Sequence, residues 1–371
     1  MPNKQFPTGL AEEHAFLNRV KEVARLKDNI ANIDHTVLVA PRRYGKTSLM
    51  NKVAKELGQH YGWIELLSST SFTDVQDKVI RAVSSVMMDL YPEVKKLQTI
   101  LTKFFHAMKP DIVLGAFGQK ITLHPTESPE QSITDILMKL DEVAQQAQET
   151  VILVFDEFQQ LAEITNGQAL EASIRHAVER SKNVVYLFSG SNRHMLNEMF
   201  GSSSRPLYRL CELLIVERMH VDAYEPFLIK QAKEQWQNTI SDEAISAIME
   251  LTERHPYYVN ALCGTLWRGE DTPPTAERVH EVWGHYVFGH KSILLGDYSG
   301  LSLNQKKLLT ALARQPTKEP YGKDYLAFCE LSTSSVSQVI ATLLKKDLIL
   351  QDDDGVYRVL DPGISYYLRM F

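Results

Sequence analysis

Gly45-Lys46-Thr47 sets a flexible backbone point beside a cation and a hydroxyl. A cation with exposed backbone N–H groups binds anions, and an adjacent hydroxyl can ligate a divalent metal, so the chemistry expected here is phosphate binding. The three residues lie within the stretch "TVLVAPRRYGKTSLM", Thr36 to Met50, which follows G-x-x-x-x-G-K-[ST] except that Ala40 stands at the first glycine. A second stretch, "VILVFDEFQQL", runs from apolar residues into Asp156-Glu157. At the end of a buried strand the first carboxylate can hold Mg2+ through water and the second can polarise an attacking water. A third, "VVYLFSGSNRHML", ends in Ser189, Gly190, Ser191 and Asn192. Hydroxyl and amide groups there either contact a γ-phosphate or the attacking water, or form an ordinary polar turn.

These stretches define a candidate ATP site. Ala40, Pro41, Arg42, Arg43, Tyr44, Gly45, Lys46, Thr47 and Ser48 are expected to line the nucleotide, with Lys46 reaching the β- and γ-phosphates. Thr47 and Asp156 are the expected Mg2+ residues, and Glu157, Lys46, Ser189, Asn192 and Arg209 the expected catalytic ones. A working loop needs only compact residues at positions 42 and 43, so the arginines there face the nucleotide, the lid helices or a neighbouring subunit, or are solvated charge. Arg205 and Arg209 in "SRPLYRLCEL" are both candidates for an arginine finger, in cis or in trans. His255 in "RHPYYVNALC" precedes Pro256, a good first helical residue, and is read as a nucleotide sensor or as a cap. Arg19 in "FLNR" approaches the adenine or ribose, or is an exposed helix charge.

The elements that must position these groups follow from periodicity. Residues 13–30 carry Phe16, Leu17, Val20, Val23, Leu26 and Ile30 at helical spacing. "TVLVA" is a short apolar run of the kind buried on both faces, and "SLMNKVAKEL" is a one-faced helix with Gly58 behind it. Further apolar runs at 62–68, 151–155, 184–188 and 213–217 alternate with helical patterns, which predicts a parallel, doubly wound α/β sheet. The gap at 69–130 reads as helices over 72–91 and 93–108 and a hairpin over 111–123, an insertion. Strands stop near 220. Four helices follow, one with Ser241 as N-cap, and then three short helices and a hairpin turning at Asp353-Asp354-Gly355. The expected domains are a core at 1–219, a helical lid at 220–298 and a winged helix at 299–371.

With 371 residues, 44% hydrophobic and 23% charged, the chain can bury a substantial core. A formal charge of −6 excludes a polycation, so nucleic acid would need a local basic patch. The three scattered cysteines, Cys211, Cys263 and Cys329, argue against a disulfide scaffold or zinc ribbon and fit a reducing, cytoplasmic setting. No apolar run approaches membrane-spanning length. The expected recognition helix, "STSSVSQVIATLLKKD", carries its lysines, Lys345 and Lys346, at the far end, and the wing tip Asp352-Asp353-Asp354 would repel phosphate. DNA binding is therefore not favoured by charge. A protein-facing or intramolecular role, self-association included, is at least as well supported.

Over nearly its whole length the chain resembles the archaeal-type ATPases, a STAND/AAA+-like P-loop family. The resemblance lies in "FLNR…EVARL", "PRRYGKTSL", "VFDEFQQL" with Gln159 and Gln160 near that family's glutamine, "SGS", "PLYR" and "HPYYVNALC". It implies an AAA+-like ATPase core, a helical lid, a C-terminal winged helix-turn-helix domain, and slow, switch-like ATP hydrolysis. Departures are Ala40 and the spacing after Glu157; alanine is compatible with the turn if its φ stays negative. Three functions are compared: an ATP-driven switch acting on another protein, a DNA-associated ATPase gripping duplex through its winged helix, and a nucleotide-binding module that hydrolyses nothing.

Overall fold

The computed structural model describes residues 5–11, 15–104, 110–115, 118–123, 129–352 and 354–370. The chain divides into two compact units. One holds Arg19–Arg42 and Lys46–Val216, and the other holds Met1–Asn18, Arg43–Gly45 and Glu217–Phe371.

The first unit is built on a five-stranded parallel sheet. Its strands are β1 (Thr36–Val39), β2 (His60–Glu65), β5 (Val151–Asp156), β6 (Val184–Gly190) and β7 (Glu212–Ile215), in the order β2-β5-β6-β1-β7. Every residue of β1, β5 and β6 is buried, as continuous apolar runs covered on both faces require. The edge strand β7 instead alternates, and leaves Leu213 and Ile215 exposed. Helices α1 (Val20–Ala31), α2 (Lys46–Leu57), α3 (Phe72–Leu90), α4 (Val94–Phe104), α5 (Pro129–Ala147), α6 (Gly167–Val178) and α7 (Arg193–Gly201) complete the unit. Ser71 caps α3 by accepting from Asp74 N, and the helix sends Val75, Val79, Val83 and Val86 into the sheet core, so the crossover from β2 to β5 starts with it. An antiparallel hairpin, β3 (Pro110–Gly115) with β4 (Gly118–Leu123), pairs Asp111 with Thr122. Residues 105–108 of the expected second helix, and 116 and 117 of the expected hairpin, lie outside the described residues.

One expectation is corrected at the entry. The helix read over 13–30 starts only at Val20, because Asn18 and Arg19 adopt left-handed φ values of 54° and 63°. Leu17 belongs with Phe6 to the apolar core of the other unit, so its helical spacing is incidental.

The second unit contains α8 (Val221–Trp236), α9 (Asp242–Leu251), α10 (Pro256–Gly269) and α11 (Ala276–Gly289), followed by two single turns, α12 (Lys291–Leu294) and α13 (Gly296–Ser299). Ser241 caps α9 as expected, accepting from Ala244 N at 3.3 Å. The fourth helix ends at Gly289 and does not run on to Leu295. Then come α14 (Leu303–Arg314), α15 (Lys323–Cys329), α16 (Thr333–Lys345), the hairpin β8 (Ile349–Gln351) with β9 (Tyr357–Val359), and α17 (Pro362–Met370). Thr317 exchanges hydrogen bonds with Tyr357, adding a third edge to the wing. This is a winged helix. Its closing helix α17 has no counterpart in the sequence reading, although Asp361-Pro362 is an ordinary start signal: Asp361 Oδ1 accepts from Ile364 N at 2.9 Å.

Candidate nucleotide-binding site

In the sheet order, β6 lies between β5 and β1, and Val39 is in register with Gly190. The carboxyl ends of these three neighbours therefore bring together the loop after β1, the acidic pair after β5 and the serines after β6. That is where open α/β sheets bind ligands.

Ala40 is fully buried at the end of β1, and its φ is not among the positive ones, so alanine meets no backbone obstacle at this turn. The left-handed positions come later, at Arg43 (63°) and Gly45 (86°). Lys46 opens α2 with its side chain buried, and its Nζ donates to the carbonyls of Ala40 (2.9 Å) and Pro41 (3.1 Å). The loop thus curls around its own lysine. Ser48 is buried on α2.

Thr47 Oγ1 donates to Asp156 Oδ2 at 3.3 Å, while Ser189 Oγ and the Glu157 N–H (3.1 Å) donate to Oδ1. Asp156 is buried. Glu157 has left-handed backbone (φ 55°, ψ 44°) and heads a 3-10 turn, Phe158–Glu163. Its Oε2 accepts from Ser191 Oγ (2.7 Å), Ser191 N (3.3 Å) and Gln159 Nε2 (2.5 Å). Gly190 makes this possible: a Cβ there would meet Gln159 Oε1 at 2.0 Å. Arg42 Nε reaches Ser191 Oγ at 3.4 Å.

The other expected site residues are placed as follows. Asn192 caps α7 through Oδ1, which accepts from Met195 N at 3.0 Å. Arg205 pairs with the fully buried Glu171, whose carboxyl is pushed up by burial and held down in part by that arginine. Arg209 is exposed, its guanidinium 5.1 Å from the Tyr208 ring centre. Arg19 is buried at the head of α1 and pairs with Glu22 at 2.8 Å. In the second unit, Arg43 stacks over the Tyr257 ring at 4.1 Å, and the buried Tyr44 meets the His255 ring at 4.8 Å. His255 precedes α10 but makes no side-chain cap. Burial, then the charges of Arg218 and Arg43, lower its pKa to about 3, so it is neutral.

The sequence places Ser191 with Ser189 and Asn192 in one polar strand end but names only Ser189 and Asn192 as catalytic; Ser191 and Gln159 are the two side chains that hold Glu157. The alternation of a strand end offered a signal, since Ser189 and Ser191 share a face. For Asn192 the helix start at 193 was the missed sign of a cap.

Residues 16–262 match the ATPase domain found predominantly in Archaea, and residues 297–370 match a probable winged helix domain. No curated protein matches the sequence. Among solved structures, the Walker-type ATPase of Pyrococcus abyssi superposes with a TM-score of 0.70 at 19% identity, over 97% of this chain and 98% of that one. The Aeropyrum pernix ORC2 protein, in ADPNP and ADP complexes, superposes with a TM-score of 0.57 at 11% identity, over 96% and 95%. Both likenesses show the fold. The family match spans more than half of the chain, which therefore belongs to the archaeal-type ATPase family.

Proposed function

We propose that the chain binds ATP with Mg2+ on the loop 40–47 and hydrolyses it slowly, as a conformational switch. The carrying observation is the junction of three strand ends, where Thr47, Asp156 and Ser189 are hydrogen-bonded together beside a separately held Glu157. Hard oxygen donors of the type Mg2+ takes are present in Thr47 Oγ1 and Asp156 Oδ2, so the donor set fits that ion. Thr47 would hold the metal directly and Asp156 through water. When bound, Mg2+ neutralises charge on the phosphates.

The chain's own groups do the rest. Lys46 exchanges two loop carbonyls for phosphate oxygens, and the N–H groups at the head of α2 face the same anion. Glu157 accepts the proton of the attacking water through its carboxylate. Donors from Ser191 and Gln159 on Oε2 stabilise the carboxylate and weaken it as a base, which is the physical reason to expect slow or partner-stimulated turnover. Arg209 is the better arginine for a neighbouring copy's site, because Arg205 is already committed to Glu171. The helices 220–298 act as the lid and the winged helix as the moving part. The exposed face of α16 presents Thr333, Ser334, Ser337 and Gln338, with Lys345 at its far end, so a protein partner or self-association suits it better than duplex DNA. Calorimetry with ATP and Mg2+, joined to phosphate-release assays, tests the reading. Binding and slow turnover are expected, and failure of the parent chain to bind would overturn it.

A further inference from the structure

Arg218 lies between β7 and α8, and nothing in the nucleotide reading uses it. Its side chain is only 15% exposed. Nε donates to Tyr44 Oη at 2.8 Å, Nη1 to the Glu253 carbonyl (3.1 Å) and carboxylate (2.5 Å), and Nη2 to the Leu360 carbonyl at 2.7 Å. One rigid guanidinium fork thus joins three segments of the second unit: the tip of the phosphate loop, the turn before α10, and Leu360 just after β9.

A second tie lies beside it. Tyr258 on α10 donates to the Asp361 carboxylate, with Oη 2.8 and 2.7 Å from its two oxygens, and Asp361 also caps α17. Arg369 of α17 reaches the same Glu253 at 3.7 Å. The His255 ring packs against Tyr44 at 4.8 Å and Tyr258 at 5.0 Å. The tip is the part of the loop with special backbone: Tyr44 sits between left-handed Arg43 and Gly45. A change at either φ swings the tyrosine, and a displacement of about 1 Å takes its hydroxyl out of reach of Arg218.

We propose that Arg218 is a latch: it holds the tip of the phosphate loop and the winged helix in one bonded cluster, and filling the loop with a nucleoside triphosphate breaks the Tyr44 tie and loosens the winged helix. The inference rests on the ATP-binding reading and adds the regulation of that site. Coupling of this kind is reciprocal, so cutting the latch must also tighten triphosphate binding, by a factor in the range of roughly 5 to 100.

Hydrogen exchange on the whole chain, with and without the non-hydrolysable analogue AMP-PNP and Mg2+, reads both sides. In the parent, AMP-PNP is expected to speed amide exchange in α17 and β8–β9. In Arg218→Met these amides should already exchange fast without nucleotide, and calorimetry should show AMP-PNP bound about tenfold more tightly. Parent-like exchange and parent-like affinity in Arg218→Met would overturn the latch. Should that variant lose cooperative melting, Tyr44→Phe, which removes only the loop-tip tie to Arg218, replaces it: faster α17 exchange and tighter AMP-PNP binding support the latch, and no change in either overturns it. A parent that binds no AMP-PNP would refute the ATP reading, while exchange in the nucleotide-free variants still shows whether Arg218 holds the winged helix.

Discussion

Two polar clusters of similar size are built around the same loop and differ in what their donors face. At the strand ends, the acceptors are the carboxylates of Asp156 and Glu157, and their side-chain donors are hydroxyls and one amide, from Thr47, Ser189, Ser191 and Gln159. Such groups exchange partners at small cost when an anion and a metal arrive. In the second unit, Arg218, Glu253, Tyr258 and Asp361 are tied to one another and to backbone carbonyls. Burial raises the pKa of Asp361, a tendency opposed by the Ile364 N–H, Tyr258 and, less, Arg218. A buried guanidinium that loses a partner is costly, so this cluster is held in one arrangement until something forces it. On the proposed reading, the first cluster exchanges ligands and the second holds.

The comparison can be broken at its most exposed point by Lys46→Ala. Two charge-assisted bonds of roughly 1.5–3 kcal/mol each are lost, and ATP affinity should fall by at least about 100-fold in calorimetry. Retained affinity would show that the loop is not the site. Glu157→Gln should keep ATP affinity and lower phosphate release by roughly 10²–10⁴, the usual weight of a positioned base. Ser191→Ala frees the same carboxylate from one donor. Basal turnover should then rise, by up to about tenfold, in the same assay. A fall instead would mean that Ser191 orients the base and does not restrain it.

The holding cluster gives smaller effects. His255 has a folded pKa of about 3 against an ordinary 6.5, so between these values the unfolded chain binds a proton that the folded chain refuses. Its stabilising contribution is complete above about pH 6.5 and declines as pH falls toward 3. His255→Phe should therefore lose less Tm than the parent between about pH 7 and pH 5, measured by calorimetric melting. The smallest change belongs to Ala40→Gly. Restoring the motif's glycine should leave ATP affinity within about twofold and cost roughly 0.5–1 kcal/mol of stability through added chain entropy. A large gain in affinity would mean that the alanine distorts the turn.

Much of this architecture was legible from sequence, for local reasons. Apolar runs such as "VILVF" and "VVYLF" carry their own burial on both faces, and the loop before α2 carries its own anion chemistry. Arg42 and Arg43 were noticed as odd but not resolved, because their destinations are distant in sequence: Ser191 for one, the Tyr257 ring for the other. Nothing in "VERMH" marks Arg218, since the stretch has no periodicity and its partners Tyr44 and Leu360 stand 174 and 142 positions away. Gln159 was noted only by resemblance; that it fits because residue 190 lacks a Cβ is a statement about packing, which spacing does not encode. Helix α17 differs: its start signal, Asp361-Pro362, is local and present in the sequence.

The division of the loop between units has a practical side for dissecting the gene. Residues 43–45 belong with the portion after 217, although the chain on both sides of them belongs with the sheet. A fragment ending near residue 216 would keep the phosphate-type loop, the acidic strand end and the serine turn, though not "HPYYVNALC". It would also strip Tyr44 of Arg218 and Arg43 of Tyr257. Nucleotide affinities measured on such a fragment would describe a loop released from its restraints, not the loop of the intact protein.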